Sequence, residues 1–393
     1  MARYFNKNYI LSNWNKIREI IFLILLFSYI LLRIYNISWV MLGDMIPYFD
    51  VLTTFTEKYI FPFLLVVLYV VNMLILKSYE IKNKLILDIV IFTAFLAASF
   101  VHYDCAVIGA FIICSDFTSI KRIAVFSAIG ITFGTVCVMV ASKTGWTSDY
   151  MVPRMGRNAH YFGFFHYAIW ARQLLFAGIS YLYIRAKKTT LIELIVLAVL
   201  SYVIFYYSTQ RLTFVCCILL LIVLAVFTKY EVIRIDNKFI SSLSIIAFPV
   251  GLIGSMGVSY FYSPDNTLLV MLDKFLNTRV SLGHHAFEIF DINLFGQIVH
   301  HVTDYYFYLD NGYLYLLFSY GIVLTLITLA ILSYMYWRSC KTNNTALFTW
   351  LTVVLVYLLV DNTAMDLTCT AVVLLAFPIM LKEHIAEIKK DVK

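Results

Sequence analysis

Polar residues interrupt this chain at intervals that match the thickness of a lipid bilayer. Apolar stretches occupy residues 20–40, 60–76, 85–101, 105–115, 123–142, 162–184, 190–207, 212–228, 239–261, 312–337, 346–360 and 367–381. Covering ~30 Å of hydrocarbon takes ~17–25 mostly apolar residues in a helix. A chain in lipid must also satisfy its own backbone hydrogen bonds, which a helix does within each segment. The spacing therefore predicts an all-α integral membrane protein with about twelve transmembrane helices, a single polytopic domain over residues 1–393. The stretch 105–115 is short for a crossing and reads as re-entrant or as a span with misplaced ends. Composition agrees, with 62% of residues apolar and 13% charged, against about a quarter charged in soluble domains. That excludes a two-domain soluble enzyme and a disordered chain. Arg33 and Asn36 stand where a secretory signal would carry its small-residue cleavage site, so the first stretch reads as a retained anchor.

Basic residues orient the bundle. With the N-terminus inside, the inner segments hold 21 of the 30 Lys and Arg residues and the outer ones seven. This is the bias of the positive-inside rule, and it places both termini in the cytoplasm. The net charge of +7 is then a topology signal spread over many turns. It forms no basic surface of the kind that binds nucleic acid, and no nucleic-acid partner is expected. Seven of the eight histidines (102, 160, 166, 284, 285, 300 and 301) fall on or near the outer face, which puts any chemistry outside the cytoplasm. The seven cysteines lie almost all in apolar runs, without CxxC or Cys/His spacing, and read as small packing residues.

Two outer segments are long, Lys143 to Tyr161 and the large extracytoplasmic loop 262–310. In the latter, Thr267–Leu276 and Ser281–Phe290 are expected as short amphipathic helices against the membrane surface. Pro264 and Asp265-Asn266 supply a turn and cap ahead of the first. A loop of this length in a compact protein is usually functional.

The chain has no Walker loop, HExxH, GxSxG or dinucleotide fingerprint. No outer loop carries an Asp-x-Asp pair, so neither a metal nor a cofactor is expected. Arginine is the informative residue. Arg154, Arg157, Arg211 and Arg279 lie on the face that should be poor in cations, and Arg172 lies mid-span, where a charge costs ~2.5–3.5 kcal/mol on insertion scales. The planar guanidinium grips phosphate or carboxylate in two places. These positions predict an outward cavity that holds a membrane-borne pyrophosphate; the plainer alternative is contact with lipid headgroups. Where the large loop re-enters the membrane stands Asp310-Asn311-Gly312-Tyr313, close to Asp304 and His300-His301. Asp310 is a candidate general base on a hydroxyl, but Asp310 or Asn311 would equally cap a helix start. Neighbouring histidines diverge on a helix, so at most one of each pair (284/285, 300/301) would serve one site. Tyr305, Tyr306, Tyr308, Tyr313 and Tyr315 form an interfacial aromatic belt or a platform for sugar rings. His166 and Trp170, four residues apart, share a helix face with Gln173 beside them. Gly251, Gly254 and Gly257 suit close helix packing.

Taken together, these features resemble the Wzy-type polysaccharide repeat-unit polymerases of the O-antigen polymerase and ligase group. The likeness lies in a dozen spans, one large late outer loop, and the segment TRVSLGHHAFEIFDINLFGQI followed by LDNGYLYLLFSYGIV. Arg157-Asn158-Ala159-His160-Tyr161-Phe162-Gly163-Phe164-Phe165-His166 resembles the family's Arg…Leu-Gly-Phe-x-His-Pro-Asn stretch, although Tyr167-Ala168 replaces Pro-Asn. Ser208-Thr209-Gln210-Arg211 resembles its Ser/Thr-x-Arg at a helix start, and Arg279 falls where the family has an Arg before the loop's amphipathic helix. Asp310 stands where the ligase branch commonly has His, as in many polymerases. The likeness covers about residues 157–321.

The resemblance implies a GT-C-like helical fold and metal-independent transfer of a growing glycan. The donor would be undecaprenyl pyrophosphate-linked oligosaccharide, the acceptor another lipid-linked repeat, and the product a capsule, exopolysaccharide or O-antigen. It implies a bacterial plasma membrane location, with a chain-length regulator and a flippase among candidate partners. Arg157, Arg211 and Arg279 would grip the pyrophosphate, with Arg172 deeper and Asn311 and Tyr313 on the substrate. The base would be Asp310, then His301 or His166. Two alternatives stand beside this reading. A ligase-type transferase shares the donor chemistry, whereas a lipid-linked oligosaccharide flippase would want coupling charges in its spans, where the sequence has few acids.

Overall fold

The computed structural model describes residues 7–40, 49–76, 82–223, 235–299, 301–302 and 305–391. Its first half comprises α1 (Lys7–Asn36), α2 (Phe49–Phe55), α3 (Phe61–Leu76), α4 (Lys82–Ala98), α5 (Asp104–Cys114) and α6 (Ile120–Lys143). A hairpin of β1 (Met151–Arg154) and β2 (Arg157–His160) leads into α7 (Tyr167–Arg185), α8 (Leu191–Ser208), α9 (Arg211–Val223) and α10 (Lys238–Tyr260). The long loop holds α11 (Thr267–Phe275), α12 (Arg279–Ile289) and a second small hairpin, β3 (His301–Val302) and β4 (Tyr305–Tyr306). The chain ends in α13 (Gly312–Tyr315), α14 (Gly321–Lys341), α15 (Thr345–Tyr357) and α16 (Leu367–Asp391). One π-turn joins α2 to α3, another α13 to α14.

Among the described residues, helix lies within each predicted apolar stretch, but several of these helices are shorter than a crossing requires. Six helices among the described residues are long and apolar enough to cross a bilayer: Phe49–Ile75, Ile120–Lys143, Leu191–Ser208, Lys238–Tyr260, Gly312–Lys341 and Leu367–Lys390. The architecture is that of a helical membrane protein. The short stretch at 105–115 becomes α5, whose 11 residues reach only about 16 Å at ~1.5 Å per residue. Every side chain from Cys105 to Cys114 is buried, so α5 is a core helix apolar on all sides. It packs against α3, α4 and α16.

Polar caps set the helix ends that the hydropathy pattern leaves vague. Thr190 and Glu193 form a reciprocal capping box on α8, and Ser119, Asn237 and Asn344 cap α6, α10 and α15; each such cap contributes ~1 kcal/mol. In the long loop, the two helices lie within a few residues of their predicted bounds, and Asn266 accepts from the Leu268 and Leu269 amides. The outward face of α11 leaves Leu268, Met271 and Phe275 exposed. The glycine series on α10 divides: a Cβ on Gly251 would fall 2.5 Å from the Tyr313 ring, whereas Gly254 and Gly257 face open space.

Candidate functional site

The site forms where the β1–β2 hairpin, the start of α7, the α8–α9 turn, α12 and the α15–α16 turn meet. Met155 and Gly156 at the hairpin tip both have positive φ, the conformation of a tight two-residue connection. The register sets Arg154 opposite Arg157. Asp149 anchors the strands from below, accepting from His160 Nδ1 (2.9 Å), the Phe162 amide (2.9 Å) and Lys143 Nζ (3.3 Å). Burial works to raise its pKa, but those three donors outweigh burial and hold Asp149 below the usual carboxylate range.

The two hairpin arginines part company. Arg157 lies over the rings of Phe205 (5.1 Å) and Tyr206 (4.8 Å) on α8. Arg154 lies over Tyr167 at the start of α7 (5.0 Å), near enough to Arg211 and Arg279 to feel both. Burial first, and then repulsion by those two cations, lowers the pKa of Arg154, although a guanidinium remains charged at any physiological pH. Arg211 is the first residue of α9, reached through a turn in which Thr209 is left-handed and the Ser208 hydroxyl accepts from the Gln210 amide. Its Nε rests 3.3 Å from Met155 Sδ at the hairpin tip. Neither Arg154 nor Arg211 has a carboxylate partner among the described residues.

Arg279 opens α12 and is firmly placed. Its Nε donates to the Val360 carbonyl (2.8 Å), Nη1 donates to the carbonyls of Leu276 and Asn277, and Nη2 pairs with Asp310 at 3.2 Å. The Asp310 side chain remains 45% exposed, so its carboxylate is paired yet open to a ligand. Gly312, two residues on, donates its amide to Leu358 O at 2.8 Å, and a Cβ there would fall 2.3 Å from Asp361 O. Only glycine permits that approach, which brings Asp310 against the α15–α16 turn.

Several expectations change once the partners are known. Arg172 donates to Asp361 (2.9 Å) and Asp366 (3.4 Å); two carboxylates already neutralise it, so it is an ion-network residue rather than a free anion ligand. Burial pushes Asp361 above the usual carboxylate range, with Arg172 opposing and Asp310 adding to the shift. Arg157 is turned onto the α8 aromatics and does not join the cationic cluster. His166 is not on the helix face with Trp170: it is the extended N-cap of α7, and its Nδ1 accepts from the Ala168 amide at 3.2 Å. A neutral imidazole with an accepting Nδ1 carries its proton on Nε2, so the free nitrogen donates and cannot serve as base. The ring keeps an open edge to solvent.

Asn311 and Tyr313 are spent on the fold. Asn311 caps α13, accepting from the Tyr313 and Leu314 amides, and gives its own amide to Ser255. Tyr313 is fully buried, its hydroxyl donating to Leu355 O at 3.2 Å. Gln173 is buried and accepts from Thr135, and Trp170 donates to the His160 carbonyl. His300 and Asp304 lie outside the described residues, and of His301 the structure describes only the backbone, in β3.

Sequence reasoning named Arg211, Arg279 and Asp310, which meet here. It set Arg154 aside in favour of Arg157, and it passed over Asp361 and Asp366. An acidic pair in a turn between two apolar stretches was the available signal for the latter. It also undercounted acids in the spans: Glu57 is fully buried at the π-turn of Phe49–Ile75, bonded to Arg33 (3.1 Å) and Asn36 (2.6 Å), and Asp104 lies 3.5 Å from Arg33. Compared with known proteins, the chain matches no family model, no curated protein and no solved structure.

Proposed function

We propose that the protein polymerises lipid-linked oligosaccharide repeat units, transferring a glycan from undecaprenyl pyrophosphate to a second lipid-linked repeat at the outer face of a bacterial plasma membrane. One observation carries the reading: Arg154 and Arg211, cations with no carboxylate partner among the described residues, lie close to Arg279 beside an accessible carboxylate, Asp310. Like charges gathered at a protein surface are costly unless an anion joins them. A pyrophosphate supplies that anion and is a leaving group whose developing charge needs stabilising, which preorganised donors do.

In this mechanism the acceptor hydroxyl oxygen bonds to the anomeric carbon as the bond from that carbon to the pyrophosphate oxygen breaks. The electron pair stays on the departing pyrophosphate oxygen, whose charge Arg154, Arg211 and Arg279 stabilise, and the hydroxyl proton passes to Asp310. His166 Nε2–H donates a further hydrogen bond to the departing oxygens. One displacement inverts the anomeric centre; a retained configuration would refute the single-step route.

The test is the size distribution of surface glycan in a deletion strain complemented with wild type or Arg211→Ala. The expected outcome is a long ladder with wild type, one repeat without the gene, and, for purified Arg211→Ala, a rate lower by ~10²–10³-fold. A ladder that persists in the deletion strain would overturn the proposal. The Arg33–Glu57–Asp104 group, with Glu57 fully buried and its partners half-buried, favours a second reading, transport of the lipid-linked oligosaccharide, because ionisable groups within spans commonly mark coupling pathways. Movement of that lipid across liposomes without a new glycosidic bond would decide for it.

A further inference from the structure

A cavity of about 520 Å³ opens between α6, α7, α8 and α9, away from the arginine cluster. Its walls are almost wholly apolar. Along α7 it runs from Trp170 to Leu182, about 18 Å at ~1.5 Å per residue. That is close to one leaflet, half of the ~30 Å hydrocarbon layer. On α8 it runs from Leu197 to Tyr207. Gly178 helps to keep it open, since a Cβ there would meet nothing within 4 Å.

The hairpin end of the groove differs from the rest. Phe162 and Tyr207 close it, with His160 stacked on Phe162 (5.0 Å) and edge-on to Tyr207 (5.6 Å). Cations sit over this aromatic roof. Lys143 Nζ is 4.8 Å from the Phe162 ring centre, and Arg157 is 4.8 Å from that of Tyr206, itself 5.2 Å from Tyr207. Lys143 is paired with Asp149, and at the opposite end Tyr181 meets the Arg185–Glu193 pair, so Arg157 is the cation near the slot left without a carboxylate among the described residues. An apolar slot about one leaflet deep with such a cation near its aromatic end has the chemistry of a phosphate-headed lipid.

We infer that this groove seats the hydrocarbon tail of the lipid pyrophosphate, with its head beneath Arg157. The inference rests on the polymerase reading for the identity of that lipid. The register selects it over an ordinary phospholipid: it sets Arg157 opposite Arg154, so a head that leaves the groove at Arg157 arrives at the Arg154–Arg211–Arg279 cluster. This gives Arg157 the role that its position over the α8 aromatics denied it in the cluster itself.

Photoaffinity labelling of the full chain in phosphatidylcholine nanodiscs tests this, using a prenyl pyrophosphate with a diazirine in its tail. Label is expected on peptides covering 170–182 and 197–207 of α7 and α8, displaced by unlabelled prenyl pyrophosphate and not by equal phosphatidylglycerol. Gly178→Phe should abolish it. Arg157→Gln gives up the contacts with Phe205 and Tyr206 as well as the charge. It should weaken competition by prenyl pyrophosphate about tenfold, as loss of a hydrogen bond to a charged group does, and leave competition by prenyl alcohol unchanged, which a loss of packing alone would not. Displacement by phosphatidylglycerol to the same extent, or label outside the groove, would overturn the inference. Groove labelling in a protein whose deletion leaves the glycan ladder intact would keep the groove and refute the polymerase; a ladder that needs the protein while label misses the groove would do the reverse.

Discussion

Arg172 shows how far a residue's role depends on partners that lie far along the chain. A mid-span arginine suggests a ligand site, because the insertion cost must be offset somewhere. Here Asp361 and Asp366, 189 and 194 residues away, offset it. Arg154 and Arg211 have no such partners among the described residues, and the choice between Arg154 and Arg157 could not be made from a hairpin that sequence alone leaves unseen. Asp149 offers a residue whose contribution has a pH signature. Its folded pKa is depressed, so its stabilisation is present above the unfolded value of ~3.9 and is lost as pH falls through the folded value. Asp149→Asn is expected to cost ~1–3 kcal/mol at pH 7, seen as a lower melting temperature in detergent. The gap between variant and wild type should close as the pH is taken below ~3.9; a gap independent of pH would remove the carboxylate from the argument.

Helices were the readable part of this molecule, because bilayer thickness imposes a length on apolar runs and caps refine the ends. The same signal could not say that α5 is enclosed by protein rather than lipid, since a short apolar run looks alike in both settings. Nor could it find the β1–β2 hairpin, whose four-residue strands carry Pro153, Arg154, Arg157 and Asn158 and no alternating apolar pattern. On α10 the glycines make a graded test of packing. Gly251→Ala should force Tyr313 off its seat and cost ~1–3 kcal/mol, as overpacking does. Gly254→Ala, facing open space, should stay within ~0.5 kcal/mol of wild type. Thermal melting of the two variants side by side checks the pair, and equal melting points would contradict the Gly251–Tyr313 contact.

Charge asymmetry across the whole chain predicts that the hairpin, α11 and α12 face outward. A cysteine introduced at Ser263 should react with a membrane-impermeant maleimide in intact cells, and one at Asn343 only after permeabilisation; the opposite pattern would invert the molecule and move the arginine cluster to the cytoplasm. The α15–α16 turn holds that end together in an unusual way. Leu358 and Val360 contribute main-chain carbonyls, to Gly312 and Arg279 respectively, and carbonyls are the same whatever side chain they accompany. Leu358 and Val360 are buried, so any apolar side chain that fills the same space at 358 and 360 leaves both bonds intact. Descendants of a common ancestor could share this arrangement and yet retain few identical letters there, so kinship in such proteins is better sought in the path of the backbone than in the alphabet of its residues.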